Sequence, residues 1–345
     1  MIKKFTIKIL LRSGNTKKMG KVIFYISVLL ILACANKSTA QQLPEYSQYS
    51  MNMYLINPAW AGSEGYTSVN LLAREQWVGF SGTPKTHSLS INSRILRNSY
   101  ISKNASVRKK ERKSSRSGRV GWGAHIFNDH NGLLDRTGVE GTYSYHLSIG
   151  QGQLSFGLTA MLFQLKLSQD KIVLSDDQPD GLLMDNKKSL VVPDADFGVL
   201  YRQEDFYGGF SVGQILSSSV QFGEKGAGKY KLNRQYNLIG GYKYYYKENW
   251  MIEPSFYLKV PQGNTMQLDI QTRVEYKDSY WGGLGFRTGS ALVFLAGAKY
   301  DIYYLGYAFD YNFGSIMKHT YGSHEIMAII RFGVNARRYK WLNTY

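Results

Sequence analysis

Between Met266 and Tyr276 the chain reads M-Q-L-D-I-Q-T-R-V-E-Y. Met266, Leu268, Ile270, Thr272, Val274 and Tyr276 alternate with Gln267, Asp269, Gln271, Arg273 and Glu275. Successive side chains of a β-strand point to opposite faces, so this stretch is a strand with one oily face and one charged face. It runs for about ten residues, the length a tilted strand needs to cross a bilayer, whereas strands of soluble sheets average five or six. One such strand leaves soluble and membrane readings equally open. Repetition and export decide between them.

The alternation returns along the chain, with expected strand starts near Tyr66, Thr86, Arg119, Gly138, Gln153, Asp194, Asp205, Gln235, Trp250, Met266, Ser279, Ser290, Ile302 and His324. Fourteen is an even number, as single-chain bacterial outer-membrane barrels have. Val139 to Leu147 set against Glu140 to Ser148, and His87 to Ile95 against Ser88 to Arg94, are as regular as the first example. Trp250 to Val260 contains Pro254, which predicts an irregularity there. Of the 27 tyrosines, 16 phenylalanines and 6 tryptophans, many lie toward strand ends, as at Tyr242 to Tyr246, Tyr300 to Tyr304 and Tyr311, where rings mark the two boundaries between water and lipid. The expected fold is therefore all-β: a transmembrane antiparallel barrel of about 14 strands over residues 66–335. The polar residues Arg94, Glu140, Asp269, Arg273 and Glu275 are its candidate lumen-facing side chains.

The chain's start reads as an export signal. The longest apolar run, Val22 to Ala35, follows lysines and precedes Ser38-Thr39-Ala40, the layout of a secretory signal peptide over residues 1–40. Met19 is the more ordinary start for such a signal. Leu32-Ala33-Cys34 also loosely matches a lipoprotein cleavage site, so acylation at Cys34, the chain's one cysteine, is a competing reading. No apolar run reaches the roughly 18 residues of a spanning helix.

The net charge of +17 does not describe a nucleic-acid-binding surface. Residues 1–40 hold eight Lys or Arg and no acid, and residues 97–119 hold nine against Glu111 alone. Setting aside those two stretches leaves a body of net charge +1. The three longest interruptions, 96–118, 168–193 and 217–233, are expected together on the rim that carries long loops. The basic one suits lipopolysaccharide or an acidic partner, or is simply solvated.

Residues 41–65 carry Tyr46, Tyr49 and Met53 at helix-like spacing, until Asn57-Pro58 stops any helix. They read as an ordered arm lying in or across the barrel, with residues 336–345 as a tail. Chemistry is not expected. Gly223 to Lys229 nearly spells a phosphate-binding loop, but Tyr230 stands where Ser or Thr is needed and no helix follows. Asp176, Asp180 and Gly181 hint at a calcium loop that Gln178 and Lys187 spoil. His125 and His130 flanking Asp129 are the nearest approach to a metal site. No local nucleophile and base suggest an enzyme, and no cofactor is expected.

Two stretches carry a resemblance. Asn57-Pro58-Ala59-Trp60-Ala61-Gly62 and Gln76-Trp77-Val78-Gly79-Phe80-Ser81-Gly82-Thr83-Pro84-Lys85-Thr86 resemble the PorP/SprF family. Tyr46-Ser47-Gln48-Tyr49 and Ser323-His324-Glu325-Ile326 fit the same pattern. Trp60 stands where tyrosine is the family's residue, and Asn335 to Tyr345 run past the usual end. The resemblance implies a multi-pass outer-membrane barrel of the type IX secretion system. Such a barrel helps export or surface-anchor a cargo protein with a C-terminal sorting domain, in some members an adhesin of gliding motility. It implies periplasmic and lipoprotein components of the machine as partners, besides outer-membrane lipid. The residues alone leave a general porin or solute channel as the alternative.

Overall fold

The computed structural model describes residues 44–80, 82–95, 119–132, 134–167, 189–222, 228–263, 265–313 and 320–333. The expected signal peptide, Cys34, the calcium-like residues, most of the phosphate-loop near-match and the tail lie outside these. Among the described residues seventeen strands follow one another: β1 (Thr67–Glu75), β2 (Lys85–Ile95), β3 (Val120–Asn131), β4 (Leu134–Ile149), β5 (Gly152–Leu167), β6 (Ser189–Arg202), β7 (Phe206–Gly213), β8 (Ser219–Phe222), β9 (Gly228–Lys231), β10 (Gln235–Tyr242), β11 (Tyr244–Tyr246), β12 (Trp250–Pro261), β13 (Gln267–Tyr276), β14 (Tyr280–Arg287), β15 (Ala291–Tyr300), β16 (Tyr303–Asn312) and β17 (Ser323–Phe332).

Each wall strand pairs antiparallel with its neighbours, and β1 pairs with β17 from Thr67 opposite Phe332 to Glu75 opposite His324. That last ladder closes the sheet. β10 and β11 both pair with β12 and form one stave, so the wall has fourteen. Closure satisfies the backbone inside hydrocarbon, where an open edge would leave N–H and C=O groups unpaired. β8 and β9 make a separate hairpin within the connection from β7 to β10.

Pro254 does not produce the bulge that a proline in a strand suggests. Its side chain faces outward and it pairs with Thr272 of β13 without a shift of register. On its other side the stave breaks at Lys243, between Gly241 opposite Ser255 and Tyr244 opposite Ile252. Proline has no N–H to donate, so the irregularity is a gap in one ladder.

Exposure runs inside out relative to a soluble protein. Leu71, Leu158, Leu284, Leu305 and Ile326 are more than half exposed, while Ser90, Ser144, His146, Asp310 and Glu325 are buried. Aromatic rings bound the oily band at both ends, with Phe206, Tyr242, Trp250, Tyr280, Tyr300 and Tyr303 at one and Phe286, Tyr311, Phe313 and Tyr321 at the other. No helix among the described residues is long and apolar enough to cross a membrane; strands do the crossing.

The two rims differ. At one, the strands are joined by residues 150–151, 203–205, 247–249, 277–279 and 301–302, and the first wall strand begins and the last ends there. Short turns mark the periplasmic rim of such barrels. The other rim carries 76–84, 168–188, 214–234 and 313–322 and faces outward. This corrects one expectation. Residues 96–118 join the end of β2 to the start of β3, and both lie on the inner rim. The three long interruptions therefore do not share a side. Loop length alone could not assign the rim; the parity of the strand count does.

An arginine placed on the oily band tests this picture. Leu71→Arg, midway along β1, should cost ~2–4 kcal/mol, and Tyr300→Arg, at the inner girdle, about 0–1 kcal/mol. Urea unfolding in lipid vesicles measures both, and equal costs at the two positions would contradict a lipid-facing wall.

Candidate functional site

The lumen holds residues 44–66. They form three 3-10 turns, Tyr49–Met51, Met53–Leu55 and Pro58–Trp60. Asn57-Pro58 explains the last one. The proline starts the turn where its missing N–H costs nothing, and the Asn57 Oδ1 accepts from the Ala59 N–H at 2.9 Å as an N-cap. The other end of that amide reaches the wall, where Nδ2 donates to the carbonyls of Val199 (3.1 Å) and Phe210 (3.3 Å).

The wall is hollowed to receive this segment. A Cβ at Gly157 would meet the Pro58–Ala59 peptide, and one at Gly198 would meet the Asn57 amide. Gly62 has φ +65°, and a Cβ there would lie 2.6 Å from the Ser93 carbonyl oxygen. Apolar arm residues Tyr49, Met53, Tyr54, Ile56 and Trp60 pack with Leu200, Tyr207, Ile239 and Tyr257 of the wall. Their polar atoms are met as well: the Tyr54 hydroxyl lies 2.9 Å from Thr142 Oγ1, and Ser144 Oγ donates to the Ala61 carbonyl at 2.6 Å.

Ionic groups clamp the first residues of the arm. Arg74 of β1, 1% exposed, donates to Asp310 (2.7 Å), Glu325 (3.3 Å) and Ser47 Oγ (2.7 Å). Arg287 of β14 meets Asp269 (2.9 Å), Asp310 (3.0 Å) and Glu45 (3.4 Å). Glu325 accepts from the backbone N–H groups of Ser47 (2.8 Å) and Gln48 (2.9 Å), one to each carboxylate oxygen. Gln271 Nε2 donates to the Ser47 carbonyl at 2.6 Å. Charge-assisted bonds of this kind are the strong ones.

A second cluster holds the far end of the arm near the inner rim. Glu64 lies 3.7 Å from Arg202 and accepts from the Tyr66 hydroxyl. Arg273 pairs with Glu253, which also accepts from the Tyr207 hydroxyl at 3.0 Å, and lies 3.7 Å from Glu275. Burial works against charge on Glu45 and Glu64. Arg287 with Lys259 and Arg74 outweighs it at Glu45, and Arg202 with Arg331 at Glu64, holding both carboxyls below their ordinary range.

The motif residues divide between arm and rim. Asn57, Pro58, Ala59 and Gly62 sit in the lumen against β5, β6 and the end of β2. Gln76, Trp77, Gly79, Phe80 and Pro84 belong to the outer connection 76–84, with Lys85 and Thr86 opening β2. That connection is tied to the next one around the rim: Trp77 N–H donates to Ser323 Oγ (3.2 Å), and Val78 and the 321–322 segment exchange bonds of 2.9 and 2.7 Å. Lys85 pairs with Glu75 at 2.9 Å, and Thr86 donates to Asp129 at 2.6 Å. His324 faces outward against the Tyr307 hydroxyl, 2.7 Å away, while Glu325 beside it points inward to the arm.

Of the candidate lumen residues, Arg94 is 6% exposed and donates to the Gly62 carbonyl (3.1 Å) and Gln153 (2.8 Å), and Asp269 receives Arg287. Arg273 and Glu275 belong to the inner cluster, and Glu140 stands beside His125 across an open part of the lumen. His125 faces the lumen and His130 the opposite side of β3, where it meets Asp135, so the two do not converge on one ion. Sequence reasoning missed Arg74, Arg287 and Asp310, the centre of the clamp. Arg74 and Asp310 each sit in an alternating strand with their charge on the polar face, which was the available signal.

A closed fourteen-stave wall with an oily exterior, aromatic girdles and a polar interior occupied by its own N-terminal segment defines a transmembrane barrel of the outer membrane. Among solved structures it is similar to the toluene transporter TbuX of Ralstonia pickettii, at 12% identity and TM-score 0.43 over 85% of this chain and 94% of that one. It is also similar to OmpF of Salmonella typhi, determined in complex with daunomycin, at 8% identity and TM-score 0.32 over 77% and 96%. No curated protein matches the sequence. The chain belongs to the PorP/SprF family of type IX secretion system membrane proteins, whose sequence profile matches residues 38–330.

Docking of the arm should weaken in acid. Glu45 and Glu64 have folded-state pKa values below the unfolded one, so their contribution is complete above about pH 4.3 and is lost as pH falls through the lower, folded value. Chymotrypsin, which cleaves beside Tyr46, Tyr49 and Tyr54, should spare the arm at neutral pH and cut it in Glu325→Ala. That variant strips two N–H groups and an arginine of their acceptor, at a cost of ~3–5 kcal/mol. An arm equally resistant in Glu325→Ala would show that this carboxylate does not hold it.

Proposed function

We propose that this barrel is an accessory component of the secretion machine that binds a secreted cargo protein through the cargo's C-terminal sorting domain. It holds that cargo at the cell surface and performs no chemistry of its own. The observation that carries this reading is the occupied lumen. Residues 44–66 cross it and bond to the wall along their length, which leaves the wall as scaffold rather than as a path for solute. The family supplies the secretion context.

A rigid scaffold of this kind fixes the outer connections in space, and function on barrels concentrates in such loops. The bonds between 76–84 and 320–323 hold two of those connections as one surface, a platform suited to a folded partner. Periplasmic and lipoprotein components of the machine are reached from the inner rim. An adhesin serving gliding motility is one cargo that would use the outer surface. The cargo reading is tested by purifying the protein from native membranes and identifying what accompanies it. Recovery of proteins with C-terminal sorting domains is the expected result, and recovery of the barrel with lipid alone would refute it.

The general porin makes the opposite electrical prediction. In planar bilayers the intact protein should conduct little, and deletion of residues 41–62 should open a water-filled lumen and raise single-channel conductance several-fold. High conductance by the intact barrel, unchanged by the deletion, would favour the porin.

A further inference from the structure

The arm does not fill the lumen evenly. On its outer side lies a cavity of about 90 Å³, open at its mouth and roomy enough for several waters or the end of one side chain. Tyr46 and Ile56 of the arm form its floor, His125, Arg136, Glu140 and Asp196 its sides, and Gln214 and Gln235 belong to the outer-rim ends of β7 and β10.

Its charge is not matched as it is in the two clusters beside it. Glu140 and Asp196 face the space within Coulombic reach of one another, and Asp194 sits 3% exposed one inward position away. Arg136 is the guanidinium of the lining; its charge reaches Asp196, but its direct contacts lie elsewhere. It lies over the rings of Phe127 at 5.1 Å and Phe163 at 4.2 Å, and donates to the Met161 sulfur at 3.8 Å. No nitrogen of Arg136 lies within 4.0 Å of the Glu140 or Asp196 carboxylate.

Buried polar atoms point the same way. His125, 5% exposed, has Nδ1 3.1 Å from Glu140 Oε2 but out of line for a hydrogen bond, and its Nε2 meets no protein partner. Gln235 Oε1 and Gln214 Nε2, on residues 7% and 4% exposed, are also without partners. A buried group left so costs about 1–3 kcal/mol, an arrangement that persists where a guest supplies the missing bonds. Carboxylates in excess, a free amide oxygen and ring walls from Tyr46, Phe127 and Tyr257 suit a cation on an apolar stem.

We propose that this cavity binds the side chain of a lysine or arginine presented by a polypeptide at the outer rim, with Glu140 and Asp196 as counter-charges and Gln235 Oε1 as a further acceptor. The site goes beyond the cargo reading and does not depend on it, because any polypeptide that offers a basic side chain there would be a ligand.

The test uses the full-length protein in detergent and titrates it with acetyl-Gly-Arg-Gly-amide, acetyl-Gly-Lys-Gly-amide, acetyl-Gly-Leu-Gly-amide and acetyl-Gly-Glu-Gly-amide. The two basic peptides should bind at least about tenfold more tightly than the other two, and Glu140→Gln and Asp196→Asn should each weaken them by about tenfold. Glu75→Gln, at an exposed ion pair of the outer rim, should leave binding unchanged. Equal affinity for all four peptides, or for none, overturns the proposal on the unsubstituted protein alone, whether or not the variants fold. So does undiminished binding in both carboxamide variants that retain the heat-shifted gel mobility of a folded barrel.

Discussion

Hydrocarbon offers no hydrogen bonds, and that constraint reaches every level of this protein. A chain that crosses lipid as strands must pair each backbone group with another strand, so its sheet has to close. Antiparallel closure of the first stave on the last requires an even count, which the ladder between β1 and β17 meets at fourteen. The count then sets the next problem. Wall side chains fill a barrel of about eight strands, while barrels of 16 to 18 strands hold an aqueous channel. Fourteen staves leave a lumen wider than inward side chains can close, and the arm supplies the missing matter.

Holding a peptide in a polar lumen is harder than holding it in an apolar core, because the hydrophobic effect has less surface to act on. Here the two are divided along the arm. Tyr49, Met53, Tyr54, Ile56 and Trp60 provide oily contact with one side of the wall. Glu45, Ser47 and Gln48 are fixed on the other side by Arg74, Arg287 and Glu325. Buried ion pairs add little to stability relative to apolar replacements, but they punish misplacement, since a shifted arm would leave charges unpaired. The clamp therefore specifies register more than it contributes strength. Glu45 and Ser47 illustrate this: the Glu45 carboxylate meets Arg287 and Ser47 Oγ meets Arg74 and Asp310, side-chain matches that sliding by one residue would break.

Much of the wall was legible because its rule is local. Period-two alternation is visible within ten residues, and the expected starts fall close to the observed strands. The departures have physical reasons. β4 begins at Leu134 and β6 at Ser189, ahead of the expected Gly138 and Asp194, because Asp135-Arg136-Thr137 and Leu190-Val191-Val192 do not alternate oil with charge although they pair with β5. The hairpin of β8 and β9 lies in a stretch without such a signal. The site was less legible. Tyr46 to Tyr49 and Ser323 to Ile326 resemble the same family pattern, but their contact joins residues 278 positions apart, and no local period reports it. The seating of Asn57 against Gly198 likewise depends on a glycine that in sequence is one of 35.

Charge is distributed along the barrel axis with a sense. Near the inner rim the arm ends among Arg202, Lys243, Arg273 and Arg331, set against Glu64, Glu253 and Glu275. Toward the outer rim, Glu45, Asp129, Glu140, Asp194, Asp196, Asp269, Asp310 and Glu325 outnumber Arg74, Arg136, Lys259 and Arg287. In a lumen screened by low-dielectric walls such a separation is felt over longer distances than in bulk water. The field it sets up draws a cation approaching from outside toward the floor of the cavity and repels it from the region beyond. A barrel that passes solutes gains nothing from this, because an attracted ion meets a packed arm and then a like-charged cluster. A barrel that holds a basic side chain at its outer mouth, as proposed above, gains both the attraction and the stop, so the axial charge is consistent with that proposal and the filled lumen supports it separately.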